Sequence, residues 1–332
     1  MSEKALYEQL ADKIMVPGSR LIPELFAMLV NEDEARILLA LPGFASTLAE
    51  KFNMSQKDMD AKLKEFFDKG LVFKSIKPEG VKYRMCRDIV QFHDATILWA
   101  GAGRDYFDKW QKFMETEWPA YAKMVESVVP RPFTRVIPVD RSITPRTQIL
   151  AFESAREVIE QNDTIAVTPC TCRLIARKCD SPIEVCLQVG KAADYNIERG
   201  TGRKIGKEEA LEILVKSEEA GLMHVTMNRS HDMHFICNCC GCCCIAMPVM
   251  IQYGTRMVDP SRFLAVVDAD ACQACGTCEE RCWFAAIAVD ADKAVAVVDA
   301  DKCMGCGVCQ VSCPAGAISL KEVRQKEFVP AA

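Results

Sequence analysis

The sequence CQACGTCEERC at residues 272–282 is repeated as CMGCGVCQVSCP at residues 303–314. Each run has three cysteines separated by two residues, and a fourth cysteine after three more residues. Three thiolates at this spacing can wrap a tight loop around one face of a cubane, while the fourth, set slightly apart, belongs to the other cluster. The two runs therefore predict two [4Fe-4S] clusters.

The repeat is wider than its cysteines. Residues 266–270 lead into the first run and residues 297–301 into the second, with the same offset of 31 residues that the cysteines keep. Such an offset indicates an internally duplicated domain. On these residues and motifs, the segment from Phe263 to Val323 resembles the bacterial two-cluster ferredoxins.

The resemblance implies a βαββαβ ferredoxin-like domain, in which each half is strand, cluster loop, helix and strand. It also implies that ligation crosses between the halves. Cluster one would be held by Cys272, Cys275, Cys278 and Cys313, and cluster two by Cys303, Cys306, Cys309 and Cys282. Gly305 and Gly307 are expected to permit tight loops around the clusters. Trp283 departs from the repeat, because Pro314 occupies the equivalent place in the second run.

Zinc and disulfide bonds are the alternatives for these eight cysteines. Zinc modules usually separate two cysteine pairs by a longer loop, whereas three cysteines share one turn here. Disulfides are typical of exported proteins, and the first residues, MSEKALYE, have neither the basic nor the apolar region of an export signal. No apolar run reaches the ~18 residues of a membrane span. We therefore expect a cytoplasmic protein of an anaerobic cell, with no membrane partner.

Composition and charge indicate a multidomain protein that binds another protein. The 332 residues are 50% hydrophobic, enough for several cores, and the formal net charge is −5. Each oxidised cubane with four thiolates adds about −2, so the loaded protein is more acidic still. A redox partner protein with a basic docking patch fits this charge, and we expect no nucleic-acid partner. The sequence has no Rossmann or Walker motif for a nucleotide or flavin.

Residues 31–85 predict three helices followed by a hairpin. The helices are expected at residues 34–41, 46–52 and 55–69, and Ser55 is expected to cap the third. Strands at 71–76 and 81–85 would flank the turn at 77–80. This order resembles a winged helix-turn-helix domain, as found in many bacterial regulators.

The third helix of this domain is poorly suited to DNA. It carries Asp58, Asp60 and Glu65 among its lysines and lacks the arginine that most often reads guanine. Residues 32–84 contain nine acidic and ten basic side chains, a balance that gives little attraction to phosphate. The pattern favours a module that docks protein, with DNA binding as the alternative.

The rest of the chain divides by composition. Residues 87–129 predict helices whose aromatic side chains recur at helical spacing, which indicates a packed core more often than a ligand pocket. Pro130, Pro132, Pro138 and Pro145 predict an extended connector. The predicted domains are a winged-helix-like domain at 1–86, a helical region and connector at 87–148, a cysteine-rich mixed α/β domain at 149–258, the ferredoxin domain at 259–324 and a tail at 325–332. The fold class is α+β.

The central domain has ten cysteines between Cys170 and Cys244. A helix at 153–161 and a strand at 164–167 are predicted to deliver the sequence PCTCR, residues 169–173, into a loop. A helix at 207–220 should end at Gly221, before a strand at 223–227. This density of thiols predicts additional metal binding.

Three of the central cysteines, Cys237, Cys240 and Cys243, have the spacing of the ferredoxin loops, and Gly241 would permit a tight loop around a cluster. A fourth ligand would come from an earlier cysteine if the strand before Cys170 pairs with the strand ending near Ile236. In the other interpretation, a separate cluster is held by Cys170, Cys172, Cys179 and Cys186. We therefore expect a third [4Fe-4S] cluster, and ten thiols exceed the eight that a fourth would require.

The central region, from PCTCR to CNCCGCCC, resembles a little-characterised group of anaerobic [4Fe-4S] proteins that join such a region to a ferredoxin domain. That resemblance implies a redox function. His234 is the best histidine candidate for an iron ligand or a proton donor, against the plainer interpretation of a solvated turn. Zinc held by central histidines and cysteines together is a further alternative.

Together these patterns predict an electron-transfer protein, or a subunit of an oxidoreductase system. Single electrons would pass through the two ferredoxin clusters to or from at least one central cluster. Two other functions stay open: a redox-responsive winged-helix DNA-binding regulator, and an oxidoreductase whose central cluster faces a substrate.

Overall fold

The computed structural model describes residues 3–142 and 149–331. Its contacts divide the chain into two compact units, residues 1–121 and residues 122–332. Helices and strands are mixed in both, so the α+β class is confirmed. Residues 143–148 of the predicted connector, which include Pro145, lie outside the described residues.

Unit one is mostly helical. Its elements are α1 (Glu3–Lys13), α2 (Leu21–Ala27), α3 (Glu32–Leu39), β1 (Gly43–Phe44), α4 (Ala45–Phe52), α5 (Gln56–Asp68), β2 (Val72–Lys77), β3 (Gly80–Met85), α6 (Ile89–Ile97) and α7 (Arg104–Thr116), and α8 (Trp118–Val128) crosses into unit two. The strands form a sheet of order β1-β3-β2, in which β2 and β3 are an antiparallel hairpin. The predicted helices and hairpin of residues 31–85 are therefore present.

Local chemistry explains these boundaries. The Oγ of Ser55 accepts a hydrogen bond from the backbone N of Asp58 at 3.1 Å, which caps α5 as predicted. Tyr106, Trp110 and Phe113 of α7 and Trp118 of α8 are buried, with Trp110 packed edge-on against Phe113. The aromatic stripe is thus a core, as predicted. His93 is fully buried beside Trp110 and has a structural place there.

Unit two begins with a sheet of seven strands. Its elements are β4 (Thr134–Ile137), α9 (Ala155–Glu160), β5 (Ile165–Pro169), α10 (Thr171–Ala176), β6 (Glu184–Val189), α11 (Lys191–Glu198), β7 (Arg203–Ile205), α12 (Lys207–Glu219), β8 (Met223–Met227), β9 (Phe235–Cys239), α13 (Met247–Tyr253) and β10 (Val258–Asp259). The order is β10-β4-β8-β9-β6-β5-β7, and all neighbours are antiparallel except β10 and β4.

Three expectations for this region were wrong. The predicted connector includes β4, which pairs with β8 inside the sheet, because Pro132 and Pro138 flank a short apolar stretch without interrupting it. The predicted loop at 169–173 begins a helix instead, with Cys170 at the N-cap of α10. The strand before Cys170 does not pair with β9, because β6 lies between them.

The C-terminal part of unit two is duplicated. Its strands and helices are β11 (Phe263–Val267), α14 (Thr277–Glu280), β12 (Ile287–Asp290), β13 (Val295–Val298), α15 (Val308–Val311) and β14 (Ile318–Glu322). This is the predicted order of strand, helix and strand, repeated twice. The first strand pairs with the last, β11 with β14, and β12 pairs with β13. The two halves are therefore joined through their strands, which brings each cysteine run close to the other.

Candidate metal centres

Two apolar cavities lie in the duplicated region, and each is lined by cysteines from both halves. The first is lined by Cys272, Cys275 and Cys278 of the first run and Cys313 of the second. The second is lined by Cys303, Cys306 and Cys309 of the second run and Cys282 of the first. These are the crossed sets of four that the resemblance implies. A cavity enclosed by four thiols has the donor chemistry that a [4Fe-4S] cluster requires.

The two cavities differ in their surroundings. Cys275, at the first cavity, is exposed to solvent. The second cavity lies against the seven-stranded sheet, where the backbone N of Val139 donates to the carbonyl of Cys306 at 2.8 Å. Burial raises the pKa of the Cys306 thiol to about 12. The first cavity is therefore open to solvent at Cys275, and the second faces the rest of unit two.

The three glycines expected at tight loops differ in their reasons. Gly305 and Gly307 have φ of +62° and +80°, in the left-handed region that favours glycine, as predicted for tight loops. Gly241 does not have a positive φ in the described backbone. Position 241 requires glycine because there is no space for a side chain: an added Cβ would lie 2.6 Å from Cε3 of Trp283.

The ten central cysteines form two groups. The first, here called the four-thiol group, consists of Cys179, Cys240, Cys242 and Cys243, whose Sγ atoms all lie within 4.8 Å of one another. Three of its Sγ···Sγ distances are 3.7–3.8 Å: Cys179 to Cys240, Cys179 to Cys243, and Cys242 to Cys243. A hydrogen bond from Cys243 lowers the pKa of Cys240 to about 5, whereas burial raises the pKa of Cys242 to about 12.

The second group is a closed ring of interacting thiols. Interactions that shift thiol pKa values link Cys170 to Cys172 and Cys186, Cys244 to Cys172 and Cys239, and Cys237 to Cys186 and Cys239. The six-thiol ring therefore consists of Cys170, Cys172, Cys244, Cys239, Cys237 and Cys186, in this order. All six are described residues, and no three of their Sγ atoms lie within 4.8 Å of one another.

This grouping corrects both arrangements expected from spacing. Cys237 does not join Cys240 and Cys243, because it lies on strand β9, where alternate residues share a face and Cys237 therefore points with Cys239. Cys179 does not join Cys170, Cys172 and Cys186, since it belongs to the four-thiol group. Cys239, Cys242 and Cys244 were missed as site residues. Strand alternation would have found Cys239, but the other two depend on the turn after β9.

A buried arginine lies between the two thiol groups. Arg173 is 2% exposed, and Nη1 and Nη2 donate to the carbonyl of Asn238 at 3.0 and 3.1 Å. Nη1 also donates to Sγ of Cys240 at 3.7 Å, and the charge of Arg173 interacts with Cys170 and Cys186. A guanidinium here offsets negative charge in both groups. The sequence prediction had not given Arg173 a role.

The central histidines have other partners. His224 is buried, with Nδ1 2.6 Å from Oδ1 of Asn238 and Nε2 3.2 Å from Oε1 of Glu218. His234 is partly buried beside Asp232 and Arg229, and burial lowers its pKa. Among the described residues, the compact metal-ligand group contains cysteines only. The mixed histidine and cysteine zinc site is thus not formed.

Trp283 connects the two parts of unit two. It lines the second cavity next to Cys282, while its indole packs against Gly241 of the central region. Its Nε1 donates to the carbonyl of Gly221 at 3.0 Å. The departure from the duplicated pattern at Trp283 is therefore a packing contact with the central cysteine loop.

The second cysteine run matches the model of a known family of domains. Residues 296–319 match the 4Fe-4S binding domain. This 4Fe-4S binding domain contains all four cysteines of the second run, so the prediction of a [4Fe-4S] cofactor is confirmed for at least one cluster. Together with the clustered central cysteines, it indicates iron-sulfur electron transfer. No match was found among curated proteins or among solved structures.

Two further observations describe the setting of these centres. All 19 cysteines lie in the described part of the chain, and none forms a disulfide. Within residues 3–142 and 149–331, no helix has both the length and the apolar character needed to span a membrane.

Proposed function

We propose that this protein transfers single electrons through two [4Fe-4S] clusters to or from at least one additional cluster among the central cysteines. The observation that carries the proposal is the position of Trp283. It lies between the cavity lined by Cys282 and the loop that bears Cys240, Cys242 and Cys243. Trp283 also packs against the apolar core that contains Cys244 and contacts Cys237 and Cys239, three cysteines of the six-thiol ring. These contacts support a route from the second cavity to the central cysteines.

The crossed cysteine sets would hold the two ferredoxin clusters. Cluster one would bind Cys272, Cys275, Cys278 and Cys313, and cluster two would bind Cys303, Cys306, Cys309 and Cys282. When bound, such clusters supply one-electron redox chemistry at potentials that charge, burial and hydrogen bonds to sulfur adjust. The backbone N of Ala296 donates to Sγ of Cys272 at 3.4 Å, and the backbone N of Ala286 to Sγ of Cys282 at 3.3 Å. These bonds stabilise the thiolates.

The different exposure of the two cavities supports a direction of electron transfer. Cys275 is exposed, so the first cavity is the natural place for a redox partner protein to exchange electrons. The second cavity packs on the sheet and on Trp283, which favours exchange inside the chain. With a net charge of −5 before any cluster is bound, the chain suits a partner with a basic docking patch.

A docking role for residues 31–85 fits the charges of α5 better than DNA binding. Lys62 pairs with Glu34 and Glu65, Lys64 with Asp68, and Lys69 with Glu65. Lysines paired within the protein contribute little phosphate attraction. We therefore interpret the three helices and hairpin as a winged-helix module that binds protein.

Anaerobic iron and sulfide quantification with an EPR redox titration tests this function. Wild-type protein is compared with the pair Cys303→Ala and Cys306→Ala, which would disable the second ferredoxin site. We expect loss of about four irons and four sulfides per chain. We also expect slower reduction of the remaining central signal by a ferredoxin reductant. Unchanged iron, or unchanged kinetics at the central signal, would overturn the proposal.

A further inference from the structure

The four-thiol group has the dimensions of a single tetrahedral metal ion. A tetrahedral ion with metal–sulfur bonds of ~2.3 Å has sulfur atoms about 3.8 Å apart. Three of the six Sγ···Sγ separations in the four-thiol group are 3.7–3.8 Å, in agreement with that edge, and all six are below 4.8 Å. They are too long for a disulfide, whose sulfur atoms are ~2.0 Å apart.

The same structure spaces its other thiols differently. In a cubane, each thiolate binds a different iron atom, so the sulfurs must surround the cluster. The eight ferredoxin cysteines, all described, line cavities, and no three of their Sγ atoms lie within 4.8 Å of one another. In the six-thiol ring, likewise, no three Sγ atoms lie within 4.8 Å of one another. Only the four-thiol group, among the described residues, is compact enough for one ion.

We propose that Cys179, Cys240, Cys242 and Cys243 bind one tetrahedral ion, zinc or iron, at a site separate from every iron-sulfur cluster of the chain. The six-thiol ring is then left for the additional cluster. This inference deepens the proposed function and rests on it only for the role of the ring.

The chemistry of the site is consistent with this assignment. When the metal ion binds, four metal–sulfur bonds form and the S–H protons leave to solvent, without any redox change. A divalent ion with four thiolates carries about −2, and Arg173 beside Cys240 offsets part of that charge. The ion would tie the loop after α10, which bears Cys179, to the turn after β9, which bears the other three cysteines.

The experiment measures zinc, iron and acid-labile sulfide in the full chain purified anaerobically. Iron-sulfur cubanes contain iron and sulfide in equal number, so a single ion appears as about one metal atom per chain in excess of sulfide. Elemental identity of the excess atom distinguishes zinc from iron. Wild-type metal equal to sulfide would overturn the inference without any variant. X-ray absorption at the edge of the excess metal should give four sulfur neighbours at ~2.3 Å.

Variants then locate the ion. Cys242→Ala and Cys179→Ala, from two separate segments, should remove the excess atom and leave sulfide unchanged. Cys239→Ala is the matched control in the six-thiol ring, and it should lower iron and sulfide together while keeping the excess. Loss of sulfide in Cys242→Ala and Cys179→Ala would contradict the inference. The proposed function fails separately, if Cys303→Ala with Cys306→Ala removes no iron or sulfide.

Discussion

The indole of Trp283 lies so close to Gly241 that an added Cβ would stand 2.6 Å from Cε3 and 2.9 Å from Cδ2 of the ring. Trp283 follows Cys282 of the duplicated region, and Gly241 lies between Cys240 and Cys242 of the central region. One contact therefore joins a cysteine run expected to carry electrons to the central cysteine-rich region. The contact also explains why a tryptophan stands at position 283 and a glycine at position 241, because the indole ring fills the space that the glycine leaves open.

Gly241→Ala should overpack this contact. The methyl group forces the indole or the loop to move, and such overpacking typically costs about 1–3 kcal/mol. We expect a lower thermal midpoint and slower electron transfer to the central site, measured by circular dichroism and stopped-flow absorbance. Gly206→Ala is the matched control, because its Cβ would meet nothing within 4 Å and its φ is −83°. Equal behaviour of the two variants would contradict the packing argument.

Trp283 contributes both a ring and a hydrogen bond, and two substitutions separate them. Trp283→Phe keeps an aromatic ring but loses the bond to the carbonyl of Gly221, which should cost about 0.5–1.5 kcal/mol of stability. Trp283→Leu also loses the ring that lies between the two regions. We expect slow reduction of the central site in Trp283→Leu, and rates near those of wild type in Trp283→Phe. If both variants transfer electrons at the wild-type rate, Trp283 has only a structural role.

Arg173→Gln should affect the central thiol groups in two ways. The shorter amide cannot reproduce the two bonds to the carbonyl of Asn238, and an unpaired buried carbonyl costs about 1–3 kcal/mol. Removal of a buried cation also makes reduction harder, so the midpoint potential of the central site should fall. Arg177→Gln is the control, because Arg177 is exposed near the same helix. A redox titration with no shift in Arg173→Gln would refute the charge argument.

Glu153, which precedes α9, pairs with Arg262, which immediately precedes β11 of the duplicated region. Its carboxylate accepts from Nε and Nη2 of Arg262 at 2.7 and 3.0 Å, and both side chains are buried. Glu153→Gln leaves Arg262 with less compensation, and breaking a buried pair typically costs about 3–5 kcal/mol. We expect a clear drop in the thermal midpoint of unit two. Lys293→Ala, which breaks the exposed pair with Asp290, should leave the midpoint nearly unchanged.

Local patterns were sufficient for much of the fold. The helices and hairpin of residues 31–85 follow from apolar periodicity and from the cap at Ser55, which are properties of neighbouring residues. The ferredoxin cysteines are equally local, since three thiols of each run lie within seven residues. By contrast, β4 was missed, because proline-rich flanks hide a strand whose partners, β8 and β10, lie far away in the sequence.

The spacing of Cys303, Cys306 and Cys309 was enough to predict [4Fe-4S] chemistry, because it is a local property that no distant contact changes. The division of the ten central thiols depends instead on how the strands pair. Strand β6 inserts between β5 and β9, and the pleat of β9 turns Cys237 away from Cys240. The insertion of β6 and the approach of Cys179 to Cys240, 61 residues away in the sequence, are relations between distant segments, and cysteine spacing along the chain carries no information about them.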